Sequence, residues 1–485
     1  MEKQTTKGNV TLMSILTLLH QMVEELSKAE EKYFDDPKDF YTLETSVKTT
    51  TDAFAAAFLG LVLSDINSKL EQDTWRKEAY TIQRHDTKTM ITSVGDVVFD
   101  NTYFRRRKDG SYHYLTEEII GLDKNERFSE AAEVAMLIEA SKTSYEEASK
   151  VIPSKSKITK TTVMNKVHSI AEEMPLGYPD EKTKCDYLFI EADEDHVAEQ
   201  HGRWYDKTLN KSFISKLIYV YEYKLKVPET KGRKVLVNTY YAGGVYSGTS
   251  GNEKIWNNIQ DYIETYYDTE SIRKIYISGD GAPWIKAGAD YLDNAVFVAD
   301  KFHLMQYINR ATNQMLDEKD IAKSEIYRLL NKRERKHFKE YTDEMLACAK
   351  NPEPIEKLQT FVLGNWRAIM RTLHDKTVDG CSAESHVSHV LSDRLSSRPK
   401  GWSIVGADRM SKLRCYEKNY GREGIIYLVQ YSRKQQKLAR TGTDDQVVKK
   451  VQLRDIVSEH YNQSRSYIDR LQVSVPQEIR KMFCI

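Results

Sequence analysis

Residues 9–33 (NVTLMSILTLLHQMVEELSKAEEKY) carry apolar residues at helical spacing and then acids, which predicts a helix. Residues 51–72 predict a second one, with Thr51 or Asp52 as N-cap. The period then shortens. Residues 90–116 alternate, with Val97, Val98, Phe99, Tyr103 and Phe104 on one side of an Asp-Gly turn at 109–110, a hairpin signal. Residues 127–151 and 158–174 return to helical spacing, with the size of a small helix-turn-helix module.

The centre of the chain is richer in strand signals. Residues 186–199, 213–226 and 233–242 are three β-like runs separated by short turns, which predicts an antiparallel meander. Residues 252–268 are helical in pattern. Lys274–Ser278 is a short apolar strand ending in Gly-Asp-Gly, followed by a helix from Pro283. Residues 295–299 (AVFVA) form another strand, and Asp300 opens a helix towards 316. This order, β-β-β-α-β-α-β-α, is that of the ribonuclease-H-like fold. The expected fold class is therefore α/β: a mixed sheet of a three-strand meander plus two parallel strands, a helical insertion, and helical N- and C-terminal regions.

The expected domains follow. Residues 1–175 are an N-terminal helical and hairpin region for DNA binding or oligomerisation. Residues 183–316 are the first part of the core, and 317–378 a highly charged helical insertion. Residues 379–402 are the last core helix and a basic loop, and 403–485 a basic helical C-terminal region.

Composition changes this picture little. With 485 residues the chain is too long for one ordinary core. No apolar run is expected to span a bilayer and no leader pattern is evident, so a cytoplasmic location without membrane contact is expected. The five cysteines, Cys185, Cys348, Cys381, Cys415 and Cys484, form no C-x-x-C pair, which argues against a disulfide framework or a Cys₄ zinc site. Cys381, His386 and His389 are likewise wrongly spaced for zinc on one helical face. Lys+Arg and Asp+Glu both number 72, so the net charge is zero. The distribution is uneven: residues 385–485 hold 19 basic and 10 acidic residues, while 180–310 hold 17 and 20. An acidic centre beside a basic flank suits carboxylates that hold a metal and cations that hold a phosphate backbone.

Asp193 stands at the end of the first central strand and Asp280 where a later strand stops. Strand ends of an open α/β sheet gather functional groups. Two carboxylates that close repel one another unless a cation lies between them. Mg²⁺ accepts hard oxygen ligands and phosphate oxygens, and Mn²⁺ is an alternative. Two such ions about 3.5–4 Å apart can serve both sides of a phosphodiester. That chemistry wants a third carboxylate, and Glu384, opening a helix after the insertion, is the candidate.

Several segments in order carry a family resemblance. They are Val97–Phe104 with Arg105, Arg106 and Arg107, then Ser144–Ala148 and Leu188–Asp193. Gly279–Ile285, Asp300–His303, Ala383–His386, Arg398–Ser403 and Gly406–Met410 follow. Together they resemble the Lre-type bacterial insertion-sequence transposases, related to the mutator-type DDE enzymes. The resemblance implies a triad of Asp193, Asp280 and Glu384, divalent metal, DNA strand transfer at transposon ends, and a homo-oligomer in the active complex. It prefers Asp193 over Asp195 through the spacing to Gln200, and matches Asp300 and His303 to a supporting Asp-x-x-His element. Arg394, Arg398, Lys400 and Trp402 combine cations with an indole and are expected DNA contacts, as are Arg105–Arg107. Two rival readings follow from the same residues: a nuclease or resolvase that cuts without joining, and a transposon-derived DNA-binding protein with an inactive core.

Overall fold

The computed structural model describes residues 15–123, 125–200, 212–227, 234–397 and 400–440. The chain divides into two compact units: Met1–Ala140, Ser144–Val163 and Val429–Ile485 form one, and Ser141–Thr143 with Met164–Leu428 the other.

In the first unit, helices Ile15–Asp35 and Phe40–Gln72 precede a hairpin of β1 (Tyr80–Thr92) and β2 (Gly95–Arg106). The second helix starts well before the expected Thr51 or Asp52. Asp39 caps it by accepting the Thr42 amide at 3.1 Å, and Thr51 lies mid-helix, bonded back to the Val47 carbonyl at 3.0 Å. This helix is also long and apolar enough to cross a membrane by length and composition, contrary to the expectation that no run would be. In this structure it lies on β2. At Gly60 a Cβ would stand 2.4 Å from the Val98 carbonyl oxygen, so only glycine permits the approach. Asn67 pins the same interface by accepting the Thr102 amide at 2.8 Å.

The main hairpin turns at residues 93–94, and the expected turn at 109–110 joins β2 only to the two-residue β3 (Tyr112–His113). The reason is the sequence of β1, YTIQRHDTKTMIT, whose middle is solvent-exposed and so carries no apolar alternation. Val97, Phe99 and Phe104 are buried as expected, but Val98 is 58% exposed, since adjacent strand residues face opposite ways.

The second unit is built on a five-stranded sheet. Its strands are β4 (Tyr187–Ala198), β5 (Ser212–Tyr221), β8 (Tyr240–Gly244), β9 (Lys274–Gly279) and β10 (Ala295–Ala299), in the order β10-β9-β4-β5-β8. β4, β5 and β8 are the antiparallel meander; β9 and β10 run parallel to β4. Two meander runs are interrupted, so that β6 (Tyr223–Lys226) and β7 (Lys234–Val237) form a separate ribbon. The break falls near Asn238, which adopts φ 52°.

One face of the sheet, with Leu188, Ile190, Ala192, Ile275 and Ile277, packs on Trp256 and Ile259 of helix Gly248–Tyr266. The expected insertion contains helices Lys319–Asn331, Arg335–Cys348, Glu353–Gly364 and Trp366–His374. Their buried residues, among them Ile326, Phe338, Leu358 and Ile369, belong to the same core as the sheet. The last of them covers the sheet edge: Arg371 donates to the Phe297 carbonyl at 2.9 Å and Thr372 to that of Ala299 at 2.7 Å. Helix Ile404–Arg440 follows, broken at Gly421 (φ 62°). The remainder of the expected C-terminal region, 441–485, lies outside the described residues.

Candidate active site

The site begins with strand register. β4 and β9 pair in parallel from Tyr187–Lys274 to Glu191–Ser278. Carried two residues further, this offset sets Asp193 level with Asp280. β10 and β9 pair up to Ala299–Gly279, which sets Asp300 level with Asp280 as well. Neighbouring strands lie about 4.7–4.9 Å apart, so three aspartates stand level, as one rim, across three parallel strands. Asp280 and Asp300 follow the ends of β9 and β10, whereas Asp193, expected at a strand end, lies midway along β4, which runs on to Ala198 because its pairing with β5 continues that far. Gly279 makes the packing possible: a Cβ there would lie 2.7 Å from the Ala192 carbonyl oxygen.

Each aspartate is held differently. Asp193 accepts the Glu194 amide at 2.8 Å. Asp280 accepts the Ala282 amide at 2.8 Å across Gly281, whose φ of +95° suits a residue without Cβ. Asp300 is buried; one oxygen caps helix Lys301–Thr312 through the Phe302 amide at 3.0 Å. Its other oxygen lies 2.6 Å from His303 Nδ1.

The electrostatics mark this rim. Burial pushes the Asp193 carboxyl up to about 6, and the Asp280 charge adds to the rise, against the Glu194 amide and His303. His303 is shifted upward, first by its hydrogen bond to Asp300 and then by the charges of Asp300, Asp280 and Asp193. The protonated form of a half-buried imidazole is thus favoured beside carboxylates that repel one another.

The third expected carboxylate is not grouped with the other two as a set of metal ligands among the described residues. Glu384 is exposed on the first turn of helix Ala383–Val387, which packs against β4. That helix continues through a π-helical turn, Ser388–Ser392, into Asp393–Leu395. Its two ends are tied to β4. Ser382 donates its amide to Glu191 at 2.6 Å, and Ser396 donates its hydroxyl to Asp195 at 2.8 Å. Glu191, Asp193 and Asp195 are alternate residues of one strand and share a face. Asp195, the other candidate for the first ligand, accepts Ser396 through one oxygen while its other oxygen is buried without a hydrogen-bond partner; Asp193 lies within electrostatic reach of Asp280 and His303. In donor type Asp193 and Asp280 fit a hard divalent cation. Among the described residues no group of three or more His, Cys, Asp or Glu is arranged to hold a metal ion.

Of the expected DNA contacts, Trp402 is corrected most clearly. It is 6% exposed, its indole donates to the Leu395 carbonyl at 3.1 Å, and its backbone extends β4 through the Ala198 carbonyl at 2.9 Å and the Gln200 amide at 2.8 Å. Arg394 is buried too, its guanidinium 4.8 Å from the Trp402 ring. An indole enclosed in this way is a packing residue, not a platform for a base. Lys400 is half-buried, and Arg398 lies outside the described residues. Arg105 and Arg107 are exposed beside the β2–β3 turn, while Arg106 pairs with Asp109 at 3.5 Å. His386 stacks on Tyr219 with ring centroids 4.4 Å apart and bonds to the Tyr241 hydroxyl.

Sequence reasoning alone does not find Glu191, Ser382 or Ser396. A signal for Glu191 is present: it precedes Asp193 by two in a strand and faces Tyr219 and Tyr221 on the neighbouring strand.

Comparison with known proteins places these residues within a family. UPF0236, described as an uncharacterised protein family, matches residues 35–430. A UPF0236 protein of Caldanaerobacter subterraneus subsp. tengcongensis is 35% identical over 401 residues, covering 82% of each chain; its name joins eleven locus designations. A second from the same organism, its name joining four, is 35% identical over 383 residues, covering 78% of both chains. Among solved structures, the Drosophila P element transposase strand transfer complex aligns over 68% of this chain and 96% of that chain, with 10% identity and a TM-score of 0.21, a likeness too slight to bear on fold or function.

Proposed function

We propose that this chain, which belongs to the UPF0236 family, is a DNA transposase that cleaves a phosphodiester at the end of an insertion sequence and joins the freed 3′-hydroxyl to target DNA. The observation that carries the reading is the register that brings Asp193, within β4, level with Asp280, just beyond the parallel strand β9, with the Asp193 carboxyl raised to about 6. The strand order β10-β9-β4-β5-β8, three antiparallel and two parallel, accords with a ribonuclease-H-like core. Relatives whose names join several loci of a single genome accord with a mobile element.

Asp193 and Asp280 would hold Mg²⁺ or Mn²⁺, in a pair of ions if Glu384 completes the set. When bound, the metal lowers the pKa of water and neutralises charge on a phosphate. The chain's own residues do the rest. Asp300 orients His303 through the 2.6 Å bond and keeps a proton on the imidazole beside the carboxylate rim. Gly281 adds no side chain beside Asp280, so that a polyanion can approach it. Exposed Arg105 and Arg107 offer phosphate contacts on the other unit.

The test uses the full chain with supercoiled plasmid carrying the element's own ends. Nicking with Mg²⁺ that is absent with EDTA, together with joining of pre-cleaved ends, is expected. Nicking without joining would replace the reading with a nuclease; neither would leave a DNA-binding protein.

A further inference from the structure

Glu191, 1% exposed, is the most densely hydrogen-bonded carboxylate near the rim. From the sheet side it accepts the hydroxyls of Tyr219 and Tyr221, the latter at 2.6 Å, and the Lys224 ammonium at 2.8 Å. From the other side it accepts the Ser382 amide at 2.6 Å and hydroxyl at 3.0 Å. Lys224 also donates to the carbonyl of Gly380, in the same loop. Burial alone would push Glu191 up, but the Lys224 charge and the hydrogen bonds from Lys224, Tyr219 and Tyr221 hold it below the usual carboxylate range. It stays ionised. A carboxylate has about four lone-pair sites, and five donors saturate them.

The donors come from two parts of the chain. Tyr219 and Tyr221 are buried on a central strand. Ser382 ends the loop that follows Trp366–His374 and immediately precedes the helix bearing Glu384. We infer that Glu191 is a positioning residue: it locks the first turn of that helix to β4, two residues from Asp193, and so sets where Glu384 stands relative to the Asp193–Asp280 rim. The Asp195–Ser396 bond fixes the far end of the same helical segment. This inference rests on the reading of Glu384 as the third carboxylate. Partners behind a metal ligand typically change metal affinity about 10–100-fold when removed.

The test compares Glu191→Gln, Ser382→Ala and Tyr221→Phe in the full chain. Hydrogen exchange is followed at amides 382–387, and Mn²⁺ affinity by calorimetry. Glu191→Gln is expected to speed exchange across 382–387 and to weaken Mn²⁺ binding about 10–100-fold, with Ser382→Ala in the same direction and smaller. Tyr221→Phe removes a donor from the same carboxylate on the sheet side and is expected to leave both readouts near wild type. Where Glu191→Gln fails to fold, Ser382→Ala decides. Unchanged protection of 382–387 in the variants overturns the inference. So does faster exchange with unchanged Mn²⁺ affinity, because the helix would then be mobile without consequence for the rim. Glu384→Gln separates the two ideas: if it binds Mn²⁺ as tightly as wild type, the assignment of Glu384 falls, whatever the exchange shows.

Discussion

Glu191 and Asp193 are two residues apart on one face of one strand, yet their surroundings are opposite. Glu191 meets Lys224, two tyrosine hydroxyls and Ser382, and is held ionised in the interior. Asp193 meets another aspartate on the next strand and is pushed up to about 6 by burial and by that charge. A buried carboxylate with enough donors is structural; one that faces a second carboxylate needs a cation from outside the chain. The difference separates a group that holds the fold from a group that the proposed function assigns to chemistry, although the sequence offers both as acids in EADED.

The largest expected effect breaks the comparison from the Asp193 side. Asp193→Asn and Asp280→Asn should each reduce Mg²⁺-dependent cleavage by orders of magnitude, since each removes a ligand charge. Tyr221→Phe, which removes only the hydroxyl that donates to Glu191, should change it little. Single-turnover cleavage measures this, and a normally active Asp193→Asn protein alongside a dead Asp195→Asn one would move the first ligand to Asp195.

Next comes stability. Glu191→Ala leaves the Lys224 ammonium, 8% exposed, without its partner, which should cost about 3–5 kcal/mol. Denaturant unfolding measures it; a loss comparable to an exposed pair would mean that Lys224 turns to solvent. Trp402→Ala, another interior change, should cost about 3–5 kcal/mol through the cavity it leaves. If that variant unfolded as wild type does but lost strand transfer, the indole would belong to DNA recognition after all.

Asp193→Asn should also show a pH signature in EDTA. The folded carboxyl titrates at about 6 and the unfolded one at about 3.9. The folded state therefore holds its proton more tightly, and the stability this gives at low pH is lost as pH rises through about 6. Relative to wild type, Asp193→Asn should gain stability between about pH 4 and 6 and keep that gain at pH 7.5, by at most about 3 kcal/mol. Melting temperatures at pH 4.5 and 7.5 check it; a pH-independent difference would contradict the raised carboxyl.

The smallest effect lies on the other unit. Arg105→Ala with Arg107→Ala should leave stability within about 0.5 kcal/mol. The salt dependence of DNA affinity should flatten by about one unit for each phosphate that the variant no longer neutralises. An unchanged slope would remove this hairpin from the DNA interface.

Much of the second unit is legible in the sequence because local pattern and tertiary role agree there. The apolar runs of β9 and β10 end just before Asp280 and Asp300, and a strand end of that kind is visible in one dimension; β4 runs past Asp193 to Ala198, so that aspartate is not marked by a strand end. The hairpin of the first unit lies elsewhere than its pattern suggests because β1 exposes its middle, so no apolar period marks it. The start of helix Phe40–Gln72 is hidden because the run Thr49-Thr50-Thr51-Asp52 has the residue types of an N-cap, although the cap is Asp39, further upstream.

The sequence by itself determined that strands form at β4, β9 and β10, and that aspartates directly follow the last two. Hydrophobic period and glycine placement are properties of neighbouring residues, and they carry this information without any partner. Only the tertiary structure decided what each acid does. Register across β4, β9 and β10 sets Asp193 level with Asp280, and packing from 191 and 201 residues away in the chain brings Ser382 to Glu191 and Ser396 to Asp195. Donors that reach a carboxylate across the fold determine whether its charge is compensated, and their identity cannot be read from the residues beside it.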